Sequence, residues 1–133
     1  LTAHHLNDSL EGFIINISRG SGLDGLTGIP IENNKIKRPL IGFEKSKIIN
    51  YANLNNLNWR EDSSNKTDSY LRNKIRNNII PEFEKLEGNF IKNFKKTISY
   101  LQISNTVIHG KINELKNDLL VDRGTEIAIK IKR

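Results

Sequence analysis

Thr2-Ala3-His4-His5-Leu6-Asn7-Asp8-Ser9-Leu10-Glu11-Gly12-Phe13-Ile14-Ile15-Asn16-Ile17-Ser18-Arg19-Gly20-Ser21-Gly22 opens on polar, chemically active residues and ends on glycines. Between those ends, Leu6, Leu10, Phe13, Ile14 and Ile17 recur at helical spacing. That spacing predicts a helix over residues 8–18 with one buried face. Asp8 and, three residues later, Glu11 form a candidate capping pair, since a carboxylate accepts the free amide protons of a first turn. Glycines 20, 22, 25 and 28 then make residues 19–30 a loop.

Working outward, Ile36 to Leu40 reads as a short strand, with Pro39 confining it to an edge or end. A second helix is expected over 44–56, burying Ile48, Tyr51 and Ala52. Asp68 or Ser69 can cap a third, whose stripe is Leu71, Ile75 and Ile79. Pro81 must end that helix, kink it or open the next turn. Asn89 caps a long helix with Phe94, Ile98, Leu101, Ile108, Ile112, Leu115 and Leu119 at near-heptad spacing, and Gly110 makes a break or bend in it credible. Ile127, Ile129 and Ile131 alternate with smaller or charged residues as in a strand, and no partner strand follows them.

The 133 residues suit one domain with a modest core. Twenty-one Lys and Arg against fifteen Asp and Glu give a net charge of +6, which favours a polyanionic partner, nucleic acid first. With no cysteine, these residues supply no disulfide, thiolate zinc site or thiol nucleophile. No stretch approaches the roughly 20 apolar residues of a membrane span, so neither a membrane nor a secreted location is expected.

Three clusters carry possible chemistry. His5, Asp8 and Glu11, with Arg19, Gly20 and Gly22, could border a nucleotide phosphate or a magnesium ion held by Asp8; helix capping and a plain turn explain the same residues. Arg38 at a strand end could present a guanidinium to a phosphate, and Asp62 in a turn could take a proton or hold an amine; a surface ion pair and an Asx-turn are the bland alternatives. Arg72, Asn73 and Arg76 lie on the third helix, with the two arginines at i and i+4 sharing a face suited to RNA phosphates. Lys92, Lys95, Lys96 and Lys111 extend the basic character, though a merely solvated face accounts for isolated lysines.

Order and spacing together resemble a known family. TAHHLNDSLEGFIINISRGSGLDGLTGIP (2–30), RPL (38–40) and WREDSSNKTDSYLRNKIRNNIIP (59–81) are similar to the bacterial tRNA(Ile)-lysidine synthases, over about residues 2–102. The resemblance implies a PP-loop ATP-pyrophosphatase with a partial Rossmann-like α/β domain followed by a helical extension. It divides the chain into residues 1–80 of the catalytic domain, a helical connector over 81–122, and a terminal strand over 123–133. It also implies a cytoplasmic ligase that uses ATP and Mg2+ to adenylate the wobble cytidine of an isoleucine tRNA. The ε-amine of free lysine then displaces AMP. By similarity, His5 and Asp8 lie near the nucleotide phosphates and metal, Arg38 and Asp62 serve the adenylate and the lysine, and Arg72, Asn73 and Arg76 meet tRNA. A homodimer is a further expectation.

Two departures stand out. The family's HHxDDxxET reads His4-His5-Leu6-Asn7-Asp8-Ser9-Leu10-Glu11-Gly12, with Asn7 for the first Asp and Gly12 for Thr. Asn7 cannot carry a second negative charge toward a metal. The family's SGGxDS phosphate loop does not occur in these residues, so the chain reads as a segment inactive by itself. The rivals are a PP-loop tRNA thiolation enzyme, which generally needs cysteines, and a non-catalytic basic RNA-binding fragment.

Overall fold

A computed structural model describes residues 1–59, 70–122 and 127–129. In chain order these form α1 (Leu6–Ser18), a short α2 (Leu23–Leu26), β1 (Glu32–Asn33), β2 (Ile36–Lys37) and α3 (Lys45–Leu54). Then come α4 (Tyr70–Lys74), a π-helical turn (Ile75–Ile79), α5 (Ile80–Leu86), α6 (Phe90–Leu119), β3 (Leu120–Asp122) and β4 (Ile127–Ile129). The described part is mostly helical. Its strands form two antiparallel hairpins, β1–β2 and β3–β4.

The core forms where α1, the π-turn and α6 meet. Leu6, Leu10 and Ile15 from α1 pack with Ile75, Ile80, Phe94 and Ile98, and Phe13 meets Phe94 edge-on at 5.3 Å. Burying such side chains contributes about 1.5–3 kcal/mol each, so this seam stabilises the molecule most. α1 differs from the one-faced expectation. Ile15 is buried whereas Ile17 is 53% exposed, because apolar residues occupy more than one side of the helix. Ile17, Phe13 and Ile14 instead border an apolar groove of about 470 Å³ that Phe83 and Phe90 line from the other side.

Helix α1 also starts earlier than its acidic pair suggested. His5 is the N-cap residue, and Asp8, at the third helical position, accepts the His5 backbone N–H at 2.8 Å. The glycine-rich loop contains the short turn of α2. Gly20 and Gly28 have φ of +71° and +77°, a region where a side chain is strained, so glycine is required there for the turn itself.

β2 pairs with β1 across the two-residue turn Asn34-Lys35 and ends before Pro39, which cannot donate to a ladder. In α3, Ile48 and Ala52 are half-buried, but Tyr51 is 64% exposed and does not join the core. Asp68 and Ser69, the expected caps of the third helix, lie outside the described residues. Pro81 takes the third of its options, sitting in the first turn of α5. Proline lacks an N–H and its ring crowds the carbonyl four residues back. The π-turn immediately before it accommodates both effects by widening the helix.

α6 runs thirty residues without interruption, about 45 Å, straight through Gly110. The helix does not break at Gly110: helical structure continues on both sides of it, and nothing within 4 Å crowds that glycine. The C-terminal strand does have a partner, and it precedes rather than follows: Leu120 pairs with Ile129 and Asp122 with Ile127.

Candidate functional site

The N-terminal ends of α1 and α3 converge. The Leu6 amide donates to the Phe43 carbonyl at 2.9 Å, and the Lys45 amide, first in α3, donates to Asn7 Oδ1 at 2.9 Å. Asn7 therefore supplies a side-chain acceptor to an otherwise orphan helix donor, a task an Asp would perform equally well. The departure at this position retains a structural role whatever it does to charge.

One turn along α1, Glu11 is 2% exposed and faces Arg76 of the π-turn. Arg76 Nε donates to Glu11 Oε1 at 2.6 Å and Nη2 to Oε2 at 3.1 Å, a two-bonded fork. The same guanidinium lies 3.8 Å from Asp8 Oδ1. His5 Nδ1 is 3.2 Å from Asp8 Oδ2, yet is buried without a properly directed hydrogen bond. Burial pushes the His5 pKa below its ordinary value; Asp8 pulls it back up, and the positive charge of Lys45 adds to the depression. His5 is thus biased toward the neutral imidazole, which can accept as well as donate.

The constellation His5–Asp8–Glu11–Arg76 joins two segments far apart in sequence, the start of α1 and the π-turn, into one polar junction. Among the described residues no group of three or more His, Asp or Glu side chains is arranged to hold a metal ion. Asp8 and Glu11, the expected magnesium neighbours, both lie within 4 Å of Arg76, whose charge faces their carboxylates.

Arg38 follows β2 and is half-buried. Its Nη1 donates to the Pro30 carbonyl at 3.0 Å and its backbone N–H to the Ile31 carbonyl at 2.8 Å, while Nε is buried without a partner among the described residues. An unpaired donor on a fixed guanidinium is a costly group that an anion would satisfy. Arg19, Gly20 and Gly22 lie exposed at the far end of α1, not beside His5. Arg72 is exposed, whereas Arg76 turns toward α1, so the two arginines do not present one solvated face. The π-turn changes the angular step per residue between them. Asn73 is half-buried, and Asp62 lies outside the described residues.

Sequence reading missed the Asn7 contact to α3 and the Glu11–Arg76 fork. The fork joins residues 65 positions apart, and no local pattern signals such a pairing.

The polar junction and the glycine loop both fall inside a nucleotide-handling domain type. A family model for the PP-loop domain matches residues 1–83, and the chain belongs to that family. It is 44% identical over 94 residues to the tRNA(Ile)-lysidine synthase of Borrelia garinii subsp. bavariensis, covering 71% of this chain and 21% of that protein. With the tRNA(Ile)-lysidine synthase of Francisella tularensis subsp. tularensis it shares 34% identity over 136 residues, 99% of this chain and 34% of the relative. With that of Bacteroides thetaiotaomicron it shares 34% over 125 residues, 94% and 29% respectively. The chain thus spans between a fifth and a third of the length of these relatives. Among the described residues no helix is long and apolar enough to cross a membrane.

Proposed function

We propose that this chain is part of the catalytic region of an ATP-dependent ligase that joins lysine to the wobble cytidine of an isoleucine tRNA. The observation that carries this reading is the similarity, 44% over 94 residues, to proteins named for that reaction. The parent domain is Rossmann-like α/β, with residues 1–80 in it, 81–122 as a helical connector and 123–133 opening a further region. Its place of action is the cytoplasm, where tRNA is modified.

In the first step the cytidine base oxygen attacks the α-phosphate of ATP, and pyrophosphate leaves. In the second the lysine ε-amine, having lost a proton, attacks the activated ring carbon, and AMP leaves with that oxygen. An ammonium with a reference pKa of about 10.4 is no nucleophile until it is deprotonated. Asp62 binds it and accepts its proton, and Arg38 stabilises the charge of the adenylate through its remaining donors. His5, biased toward the neutral imidazole, serves the nucleotide phosphates from the start of α1. Arg76 fixes the site through Glu11, and Arg72 and Asn73 meet tRNA.

The test uses the complete protein that carries this chain, with tRNA(Ile) transcript, ATP and lysine. Nucleoside mass spectrometry is expected to find lysidine in place of the wobble cytidine. A sulfur-sized mass change, or an unmodified cytidine, overturns the reading. In the same protein, Asp62→Asn is expected to spare adenylation while slowing lysine transfer about a hundredfold or more; equal slowing of both steps removes the role given to Asp62.

A further inference from the structure

Helix α3, the loop before it and the first turns of α6 enclose an open groove of about 580 Å³. Lys47, Lys92, Lys95 and Lys96 line it, together with Phe43 and a single carboxylate, Glu44. Glu44 is already matched, 3.2 Å from Lys47. Lys95 donates to the Gly42 carbonyl at 2.8 Å, which pins α6 to the loop without neutralising the ammonium. Among the described residues, Lys92 and Lys96, one turn apart, make no ion pair.

The contrast with other exposed lysines sharpens the point. Lys37, Lys85 and Lys111 each sit 3.4 Å or less from a carboxylate. The stretch of α6 facing the groove has no such partner to offer: residues 90–110 contain three lysines and no Asp or Glu. Like charges stacked at i and i+4 repel, and an external anion relieves them. Phe43, 54% exposed at the groove edge, adds a flat apolar face beside the cations. A basic track with an aromatic platform is the recognition chemistry of unpaired nucleic acid, whose phosphates follow the charges while a base stacks on the ring.

From this we infer that the α3–α6 groove binds the backbone of a single-stranded RNA segment, with Lys92 and Lys96 on consecutive phosphates and Phe43 under a base. This deepens the tRNA reading and rests on it for the choice of RNA. The groove is nonetheless tested by binding alone, without any catalytic readout.

The experiment titrates the complete protein that carries this chain with a fluorescent oligouridylate at several salt concentrations. For single strands, each lost phosphate contact lowers the slope of log affinity against log salt by about 0.7. Lys92→Gln with Lys96→Gln is therefore expected to reduce the slope by about 1.4. Phe43→Leu is expected to weaken binding about fivefold or more with the slope unchanged. All three residues are exposed, and circular dichroism confirms that the variants remain folded. Lys85→Gln with Lys111→Gln, on paired lysines elsewhere, is expected to leave the slope unchanged. The inference is overturned if the groove variants keep the parental slope, or if the control pair lowers it equally. It is also overturned if the chain binds anionic phosphatidylserine vesicles through these lysines while ignoring the oligonucleotide. If the complete protein makes no lysidine but the groove variants lose slope as expected, the functional reading fails and the groove stands.

Discussion

Two of the polar junctions that hold the helices to one another each set a carboxylate against a nitrogen-bearing partner, and they differ in how much water reaches them. At one, Glu11 and Arg76 tie α1 to the π-turn, with the Glu11 side chain 3% and the Arg76 side chain 31% exposed. At the other, Asp24 of α2 accepts from Asn105 at 3.0 Å and meets His109 of α6 at 2.8 Å, with Asp24 76% and His109 51% exposed. Both are short and well directed. In the first, Glu11 has left water while Arg76 keeps part of its surface in it, so losing Arg76 strands a carboxylate in a poor solvent. In the second, water replaces whatever is removed. Distance does not rank them; solvent does.

The largest effect should come from removing one side of the buried fork. Arg76→Met leaves Glu11 charged and almost fully enclosed, and is expected to cost about 4 kcal/mol. Glu11→Gln leaves a guanidinium that still reaches water, and should cost less, about 3 kcal/mol. The double variant should be less destabilised than the sum of the two, since neither charge is then abandoned. Urea unfolding midpoints at constant slope measure all three. Additive losses would place this fork with the exposed junction.

Next in size is Asn7, whose carbonyl oxygen receives the first amide of α3. Asn7→Ala is expected to cost about 1 kcal/mol through loss of that cap, whereas Asn7→Asp should be neutral or stabilising, because a carboxylate favours a helix N-terminus. Equal midpoints for Asn7→Ala and the parent would show that water serves the Lys45 amide as well.

His5 adds a pH dependence to the buried junction. Its pKa is lowered in the folded chain, mainly by burial, so the unfolded chain binds more protons as pH drops through the ordinary histidine range. The stability His5 contributes is complete above its unfolded value of about 6.5 and is lost as pH falls through the lower folded value. Unfolding midpoints between pH 7.5 and 5 should decline, and His5→Gln should flatten that decline. An unchanged decline in His5→Gln would assign it to other groups.

These contrasts explain what the sequence could show. Apolar periodicity along α1 and α6 and the glycines of the first loop depend on neighbours three or four residues away, so α1, α3 and α6 are all expected from local pattern. The exposure of Ile17 and Tyr51 is not, because α1 and α3 carry apolar residues on sides that the described residues leave open. The unbroken passage of α6 through Gly110 turned on about 1 kcal/mol of local propensity, which thirty residues of helix outweigh. Within the candidate site, the residue types at His5, Asp8, Glu11 and Arg76 were evident, but their assembly was not. It depends on a π-turn set by Pro81 and on a contact that closes a loop of 65 residues. Arg76 was legible as a cation, and only the fold reveals that its charge is committed inward.

The smallest effect belongs to the exposed junction. Hydrogen bonds from His109 and Asn105 hold the Asp24 carboxyl below its ordinary value. A depressed acid contributes stability above its unfolded pKa and loses it as pH falls through the folded one, so this contact should survive to below pH 4 and part only in stronger acid. Asp24 lies fully in solvent, and water competes for each of its partners, so the bond energies that shift its pKa do not accumulate into folding free energy. Asp24→Asn, which keeps the shape and removes the charge, is therefore expected to leave the urea midpoint unchanged. The local geometry should still respond: a carbon-detected titration should place the Asp24 carboxyl below the ordinary aspartate value. In Asp24→Asn, the His109 ring resonances should move while those of His5 stay in place. A midpoint loss comparable to that of Glu11→Gln would show that α2 and α6 are cemented by this contact as firmly as α1 and the π-turn are by theirs, and that solvent exposure does not separate the two junctions.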